Sequence, residues 1–212
     1  MTDDSEPGLR ERKRRATRRA IQLAVLGLVA ERGFDGVTVD EISRRADISP
    51  RTFFNYFGSK EEAILGDSPE LPSGDLVETF VDGGWTGDLM DDVARVLIGA
   101  SSSMLADVEM VQLRHNLVKQ YPQLFAMRMA TMRKFEEELA AVIEKRIARD
   151  QPAFAEDAAA LHSRARLVTL VAFGAMRHAW TRWAGNEAGH DLTSHLTNSF
   201  AELRGLYSTS PS

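Results

Sequence analysis

Apolar residues recur every three or four positions along most of the chain, which is the spacing that one face of an α-helix requires. The pattern begins near Ile21, continues in short segments up to residue 66, and is regular from Asp88 onward. No segment shows the period of two that a half-buried β-strand requires, and no internal repeat occurs. The sequence therefore predicts an all-α protein.

Proline, glycine and capping residues divide this pattern into separate helices. The segment 66–87 is rich in glycine and proline, and we expect it to form a hinge that contains a short helix at 75–81. Pro152 breaks the chain again, and a single helix is expected from 154 to 183. Asp191 is then expected to cap the last helix.

The segment 38–60 is predicted to form two short helices joined by a tight turn. Thr38 and Glu41 have the spacing of a capping box at the start of the first helix. Ser49 followed by Pro50 is typical of an N-cap and the first helical position, which places the start of the second helix.

The second of these helices has one apolar face and one polar face. At 100° per residue, Phe53 and Phe57 share a face, and Arg51 and Asn55 lie opposite. Arginine and asparagine side chains suit base edges in the DNA major groove, so the pattern predicts a helix-turn-helix that reads DNA. A helical hairpin without DNA affinity would show the same apolar spacing.

Three runs in this region hold glycines, capping residues, aromatics and a lysine at fixed offsets. They are GFDGVTVDEI at 33–42, ISPRTFFNYF at 48–57 and SKEE at 59–62. In these runs the chain resembles the N-terminal domain of the TetR family of transcriptional regulators. The resemblance covers about residues 10 to 66, and beyond them it extends only to chain length.

The resemblance implies an N-terminal three-helix DNA-binding domain followed by a larger helical domain for ligand binding and dimerisation. We accordingly expect a disordered tail at 1–9, a helix-turn-helix domain at 10–66 and a ligand-binding and dimerisation domain at 67–212. The implied partners are double-stranded operator DNA, a second copy of the chain and a small-molecule effector.

The family's DNA contacts fall in this sequence on eight positions. At one of them, Phe54, the family commonly has tyrosine; phenylalanine has no hydroxyl, so its contact must be apolar, and at Tyr56 the family often has histidine. Lys60 lies in the first turn of a helix, where a cation opposes the macrodipole, so we expect it to clamp a phosphate. The eight positions are Thr38, Ser49, Arg51, Thr52, Phe54, Asn55, Tyr56 and Lys60.

Charge is divided unevenly between the two ends of the chain. Residues 1–60 hold 12 basic and 9 acidic residues, whereas residues 61–212 hold 14 basic and 22 acidic residues. Seven basic residues lie within 10–19, at the start of the first helix. Because cations there oppose the macrodipole, we expect Arg14 and Arg15 to neutralise DNA phosphates; a solvated helix start is the other interpretation.

The sequence lacks the residues that several classes of enzyme and metal-binding protein require. The chain has no cysteine, the five histidines have no metal-like spacing, and no phosphate-binding loop or nucleophile motif occurs. We therefore expect no enzyme activity, no cofactor and no metal site. The apolar run at 21–30 is too short to span a membrane, so a cytoplasmic protein is expected.

Two C-terminal helices are expected to form a four-helix dimer interface with their copies, as the resemblance also implies. One helix offers small residues for close approach and the other an apolar stripe. Packing of both stripes within one chain is the alternative. The expected interface residues are Leu167, Val171, Gly174, Ala175, Leu192, Leu196, Phe200 and Leu203.

Methionine and aromatic residues are frequent in the middle helices, where the family has a mostly apolar ligand cavity. Flexible methionine side chains suit a cavity that accepts varied shapes, although ordinary core filling would explain each residue separately. The expected lining residues are Met104, Gln112, His115, Phe125, Met129, Met132, Phe173 and Trp180.

The predicted function is that of a ligand-responsive repressor that binds a palindromic operator as a dimer and is released by a small, mostly apolar effector. The run at 52–57, with Leu113, Arg114 and Pro122, resembles actinobacterial members that sense acyl thioesters or lipids. An aromatic, drug-like effector is equally compatible. The alternative function is an all-helical interaction scaffold with only non-specific DNA affinity.

Overall fold

The computed structural model describes residues 8–67, 69–72, 74–102, 107–184 and 191–208. These residues form helices and turns and contain no strand, which confirms the predicted all-α class. The helices are α1 (Leu9–Arg32), α2 (Val39–Arg45), α3 (Pro50–Tyr56), α4 (Lys60–Leu65), α5 (Asp75–Val81), α6 (Leu89–Ser102), α7 (Val108–Gln120), α8 (Pro122–Asp150), α9 (Pro152–Ala155), α10 (Ala158–Ala184) and α11 (Leu192–Ser208).

The chain divides into two compact units, and the division does not fall at a single point. The first unit combines the residues up to Ser68 with Glu109–Arg128, and the second combines Pro69–Val108 with the residues from Met129 onward. Most of α7 and the first residues of α8 therefore belong with α1 to α4. The functional limits 10–66 and 67–212 stay predictions.

The helix starts in the first unit follow the predicted capping chemistry. The Thr38 hydroxyl accepts from the Glu41 backbone N–H, and the Glu41 carboxylate accepts from the Thr38 N–H at 3.0 Å. The Ser49 hydroxyl accepts from the Thr52 N–H at 3.0 Å, and Pro50 is the first residue of α3. The capping box and the proline start are both confirmed.

One continuous core holds the first unit together. It takes residues from α1, α2, α3 and α4, and from α7 and α8 it takes Leu117 and Leu124. Phe53 of α3 and Phe57, which directly follows α3, point into this core, as the sequence predicted. Fully buried members include Ile21, Val25, Leu26, Ile42, Phe53 and Ile64.

The second unit contains a buried ion pair beside its apolar core. Arg146 on α8 and Asp92 on α6 lie 3.2 Å apart, and their side chains are 1% and 0% exposed. Arg146 also donates to the Phe80 carbonyl at 2.9 Å. Burial alone would raise the pKa of Asp92, but hydrogen bonds from Trp85, Thr86 and Arg146 outweigh burial and lower it.

The prediction of a single helix at 154–183 is wrong about where that helix begins. Two helices occupy this region, α9 at Pro152–Ala155 and α10 from Ala158. The Asp157 carboxylate accepts from the backbone N–H groups of Ala159 and Ala160, both at 3.0 Å, and so caps α10. A capping aspartate inside an otherwise helical pattern was the missed signal.

The apolar stripe of α11 faces the interior of the second unit. Leu192, Leu196 and Phe200 are buried within the single chain, as is Ala175 on α10. These four residues were expected at the dimer interface, and the structure corrects that expectation. The reason is that α11 packs against α10 and α6, and these contacts cover its apolar face.

We expect Asp92→Asn to destabilise the second unit, because Arg146 then loses a carboxylate that it contacts in the interior. The cost should be on the order of 3 kcal/mol at neutral pH. Since the pKa of Asp92 is lowered, its stabilising effect is present at neutral pH and is lost as the pH falls below the usual carboxyl range.

Urea denaturation at neutral pH and in acid measures both effects. Glu137→Gln, at an exposed position on α8, is the matched control for loss of one negative charge. Equal stability of the two variants at neutral pH would contradict the importance of the buried pair.

Candidate nucleic-acid interface

The outward face of α3 exposes the arginine, asparagine and aromatic side chains that the sequence predicted there. Arg51 and Asn55 are exposed, and Phe54 is exposed over 58% of its surface. Phe54 lies edge-on to Phe53, with ring centroids 5.4 Å apart, and Phe53 is fully buried. The exposed Phe54 ring is therefore held in place by its contact with the buried Phe53 ring.

Hydroxyl groups at the starts of α2 and α3 act first as helix caps. Thr38 donates its hydroxyl to the Glu41 carboxylate at 2.9 Å. The Ser49 and Thr52 hydroxyls lie 2.8 Å apart, and Ser49 is exposed. Asp47, at φ 54°, makes the tight turn that sets α3 at its angle to α2. Tyr56, at the end of α3, is half-buried.

Lys60 does not point outward, contrary to the expected phosphate clamp. Its ammonium group donates to the backbone carbonyls of Phe34 at 2.8 Å and Val37 at 3.1 Å. It also lies 4.1 Å from the centre of the Phe34 ring. An ammonium group has three donors, and two of them hold the α1–α2 connection. The structure thus assigns Lys60 a structural role inside the first unit.

Basic side chains at the start of α1 differ in their surroundings. Arg14 and Arg15 are each 69% exposed and lie 4.0 Å and 3.1 Å from the Glu11 carboxylate. Arg18 instead turns inward and donates to the Tyr56 carbonyl at 2.9 Å. Arg14 and Arg15 therefore remain accessible to a large anionic partner, whereas Arg18 fixes α1 to the end of α3.

The C-terminal end of α4 is held by two arginines from the α7–α8 region. Arg114 donates to the Ile64 carbonyl and Arg128 to the Leu65 carbonyl, both at 2.7 Å. Gly66 ends the helix at φ 70°, where a Cβ atom would lie 2.8 Å from the Arg114 guanidinium. Any side chain at position 66 would disturb this contact and strain the backbone.

His115 lies next to this cluster of cations. Burial, followed by the nearby charges of Lys119 and Arg128, lowers the pKa of His115. The imidazole is therefore neutral at ordinary pH and can both donate and accept a hydrogen bond. Burial also lowers the pKa of Arg128.

The expected pocket residues lie in several different environments. In the first unit, Gln112 and His115 are half-buried and Phe125 is exposed; in the second, Phe173 belongs to the apolar core. Phe173 contacts Phe135 there, and Met132 packs against the same core, which is the core-filling alternative. The remaining three differ again: Met129 is exposed, Trp180 contacts Trp183, and Met104 lies outside the described residues.

A cavity in the second unit is lined by residues that the sequence did not indicate. Its volume is about 530 Å³, and Arg146, Arg149, Asp150 and Asp88 contribute charged groups to its wall. None of the expected pocket residues lines it. A polar wall of this kind differs from the mostly apolar cavity that the sequence led us to expect.

A metal-binding cluster and a membrane-spanning helix are both absent from the described part of the chain. Among those residues, no group of three or more histidine, aspartate or glutamate side chains is placed to hold a metal ion. None of their helices combines the length and apolar character needed to cross a membrane.

Residues 24–64, which contain α2, α3 and most of α4, match the family model described as bacterial regulatory proteins, tetR family. In this region the chain is similar to regulators of the TetR family. The chain is also 44% identical over 59 residues to the HTH-type transcriptional regulator TcmR of Streptomyces glaucescens. That match spans 28% of this chain and 26% of TcmR, so it covers about a quarter of the relative's length.

Solved structures extend the likeness in fold along the chain. NalD of Pseudomonas aeruginosa, the secondary repressor of the MexAB-OprM multidrug efflux pump, gives a TM-score of 0.57 at 16% identity, covering 92% of this chain and 97% of NalD. The fatty acid degradation regulator FadR of Bacillus halodurans gives 0.54 at 19% identity, covering 95% and 97%. The likeness in fold therefore includes the helices that follow the helix-turn-helix.

We expect Lys60→Met to destabilise the first unit, because two half-buried carbonyls lose their donor while the side-chain length is kept. The loss should be about 1–3 kcal/mol in urea denaturation. Lys119→Met, an exposed position on α7 of the same unit, is the control and should change stability little. If both variants were as stable as the wild type, the inward hydrogen bonds of Lys60 would be of no consequence.

Proposed function

We propose that this chain is a DNA-binding transcriptional repressor that binds a palindromic operator as a homodimer and is released by a small, mostly apolar effector. The observation that carries the proposal is the outward face of α3, where Arg51, Phe54 and Asn55 are exposed on a capped helix-turn-helix. The match of residues 24–64 to a family model of bacterial regulatory proteins supports the same function.

The three exposed side chains of α3 suit different base edges. Arginine pairs well with guanine and asparagine with adenine, each through two hydrogen bonds. Phe54 has no hydroxyl for a phosphate, so its ring suits the methyl group of thymine. Thr38, Ser49, Thr52 and Tyr56 are proposed to fix the register through hydroxyl contacts with the DNA backbone.

The homodimer is proposed to form through the exposed face of α10. Leu167 and Leu170 are 62% and 54% exposed on that face, and Gly174 leaves open space beside them. Val171 is half-buried at its edge. Exposed apolar residues next to a small residue allow close approach of a symmetry-related helix, and two-fold symmetry would set the spacing between half-sites.

Effector binding is proposed to act by a population shift. An effector that binds better to a state with the wrong half-site spacing lowers operator affinity by its differential affinity for the two states. The segment 66–87 is proposed to absorb the change. The contacts of Arg114 and Arg128 with the end of α4 support this, because any displacement of α7 would act on α4 directly.

The second candidate is an all-helical interaction scaffold with only non-specific DNA affinity. The exposed arginines at the start of α1 would serve either function. What favours the repressor is the outward face of α3, since a non-specific binder needs no base-reading groups there. Neither candidate assigns a catalytic step to the chain.

Selection from a library of random duplexes at fixed, near-physiological salt tests the proposed function. We expect the wild type to recover a palindrome. Arg51→Ala should relax the preference at one position in each half-site, because it removes a side chain that reads a base pair. The loss in specific affinity should be about 1–3 kcal/mol.

Arg133→Ala, at an exposed position on α8, is the control for loss of one positive charge. Its selected sequence should be unchanged. Equal weakening of specific and random duplexes by Arg51→Ala would remove Arg51 as a base reader, and selection of no sequence by the wild type would favour the scaffold.

Leu170→Glu should convert the dimer to a monomer and reduce binding to a two-half-site operator, because a carboxylate would enter an apolar contact. Sedimentation equilibrium gives the molecular mass directly. Met127→Glu, at another exposed apolar position on α8, is the control and should remain dimeric. A dimer in both variants would place the interface elsewhere.

A further inference from the structure

The cavity in the second unit lies where the connection between α5 and α6 meets the C-terminal end of α8. Gly83, Gly87 and Asp88 line it from the connection, and Arg149 and Gln151 line it at the end of α8. Its volume of about 530 Å³ is within the usual size of small-molecule sites, roughly 300–1,000 Å³. It is here called the polar cavity.

The buried pair of Arg146 and Asp92 fixes one wall of the polar cavity. The Asp92 Oδ1 atom accepts from the backbone N–H groups of Trp85 and Thr86, at 3.1 Å and 3.0 Å. A Cβ atom at Gly84 would overlap the Asp92 carboxylate, so the connection passes this close only because residue 84 is glycine. Since a buried ion pair contributes little net stability compared with apolar packing, its value here is the fixed backbone beside the cavity.

Arg149, in the wall of the polar cavity, uses only part of its hydrogen-bonding capacity. Its side chain is 50% exposed, and Nη1 donates to the Asp150 Oδ1 atom at 2.7 Å. The guanidinium lies over Gly83, where a Cβ atom would be 2.9 Å from Nη1 and 3.0 Å from Nη2. None of the described residues accepts from Nε or Nη2 of Arg149. These two donors form the edge through which a guanidinium binds a carboxylate with two parallel hydrogen bonds.

The two carboxylates in the wall differ in what they leave available to a ligand. Asp150 pairs with both Arg146 and Arg149. Burial would raise the pKa of Asp150, but these two arginines outweigh burial and lower it, so its charge is present at neutral pH and is balanced inside the protein. Asp88 is exposed, and its Oδ1 atom accepts from two backbone N–H groups at the start of α6, at 2.9 Å and 3.0 Å. Its Oδ2 atom has no partner among the described residues and can accept from a ligand.

Formal charges on the wall balance, because Arg146 and Arg149 are matched by Asp88 and Asp150. A ligand with a single charge would be attracted by one pair and repelled by the other, whereas a ligand with one charge of each sign is attracted by both. We propose that the polar cavity binds a small zwitterion, whose carboxylate is held by Arg149 and whose ammonium group is held by Asp88. This site is separate from that of a mostly apolar effector, which would desolvate the charged wall without replacing its hydrogen bonds.

Isothermal titration calorimetry of the full chain with simple amino acids tests the proposal. The probes are glycine, γ-aminobutyrate and ε-aminocaproate, which carry the same two charged groups at increasing separation. Butyrate and butylamine carry one of these groups each and are the matched single-charge probes. We expect at least one amino acid to bind, with one molecule per chain. The single-charge probes should bind about tenfold more weakly or less, because each loses a charge-assisted contact.

Two variants of the wall assign the contacts. Arg149→Gln should remove the preference for the bound amino acid over butylamine, because the carboxylate loses its partner. Asp88→Asn should remove the preference over butyrate, and asparagine is also a good N-cap, so the start of α6 is kept. Arg133→Gln and Glu137→Gln, at exposed positions of α8, are the controls for loss of one charge and should bind like the wild type.

The inference is overturned if no amino acid binds, if the single-charge probes bind as tightly as the amino acids, or if both wall variants keep the wild-type preference. Because Arg149 also contacts Asp150, urea denaturation is used to check that Arg149→Gln is folded. If it is not, Asp88→Asn decides: loss of the preference over butyrate supports the site, and an unchanged preference overturns it. No DNA is present in these titrations, so their result is independent of the proposed repressor function.

Discussion

Backbone carbonyl groups at the ends of the short helices in the first unit have no partners within their own helices, and long basic side chains supply the missing donors. Arg114 and Arg128 reach the last carbonyls of α4, Lys60 reaches the connection between α1 and α2, and Arg18 reaches the end of α3. A cation at a helix C-terminus also interacts favourably with the macrodipole. Helices of six or seven residues depend on such contacts, since they are too short to be stable alone.

The use of these cations in folding limits which ones remain for a nucleic acid. Lys60 and Arg18 are committed to carbonyl groups, whereas Arg14, Arg15 and Arg51 remain exposed. The two elements therefore have different proposed roles: α3 reads the bases, and the start of α1 neutralises phosphate charge. Because Arg18 links α1 to the end of α3, the start of the first helix is positioned relative to the reading side chains.

Local signals determined the starts of the short helices in the first unit, and the bounds of the longer helices less well. Capping residues act on backbone groups within three positions, so the starts of α2 and α3 could be predicted from the residues themselves. The break before α10 was missed because its cap, Asp157, interrupts an apolar pattern that continues on both sides. The α11 stripe was correctly recognised as apolar, but an apolar stripe has the same appearance whether it meets its own chain or a copy.

By itself, the sequence determined the all-α class, the helix-turn-helix, its caps and the outward face of α3, because each depends on interactions between residues close in the chain. Only the tertiary structure decided the direction of Lys60, the burial of Leu196 and Phe200, and the return of residues 109–128 to the first unit. These depend on partners distant in sequence. The partner of a long side chain or an apolar helix face depends on which distant residues the fold places beside it. The local sequence pattern does not contain that information.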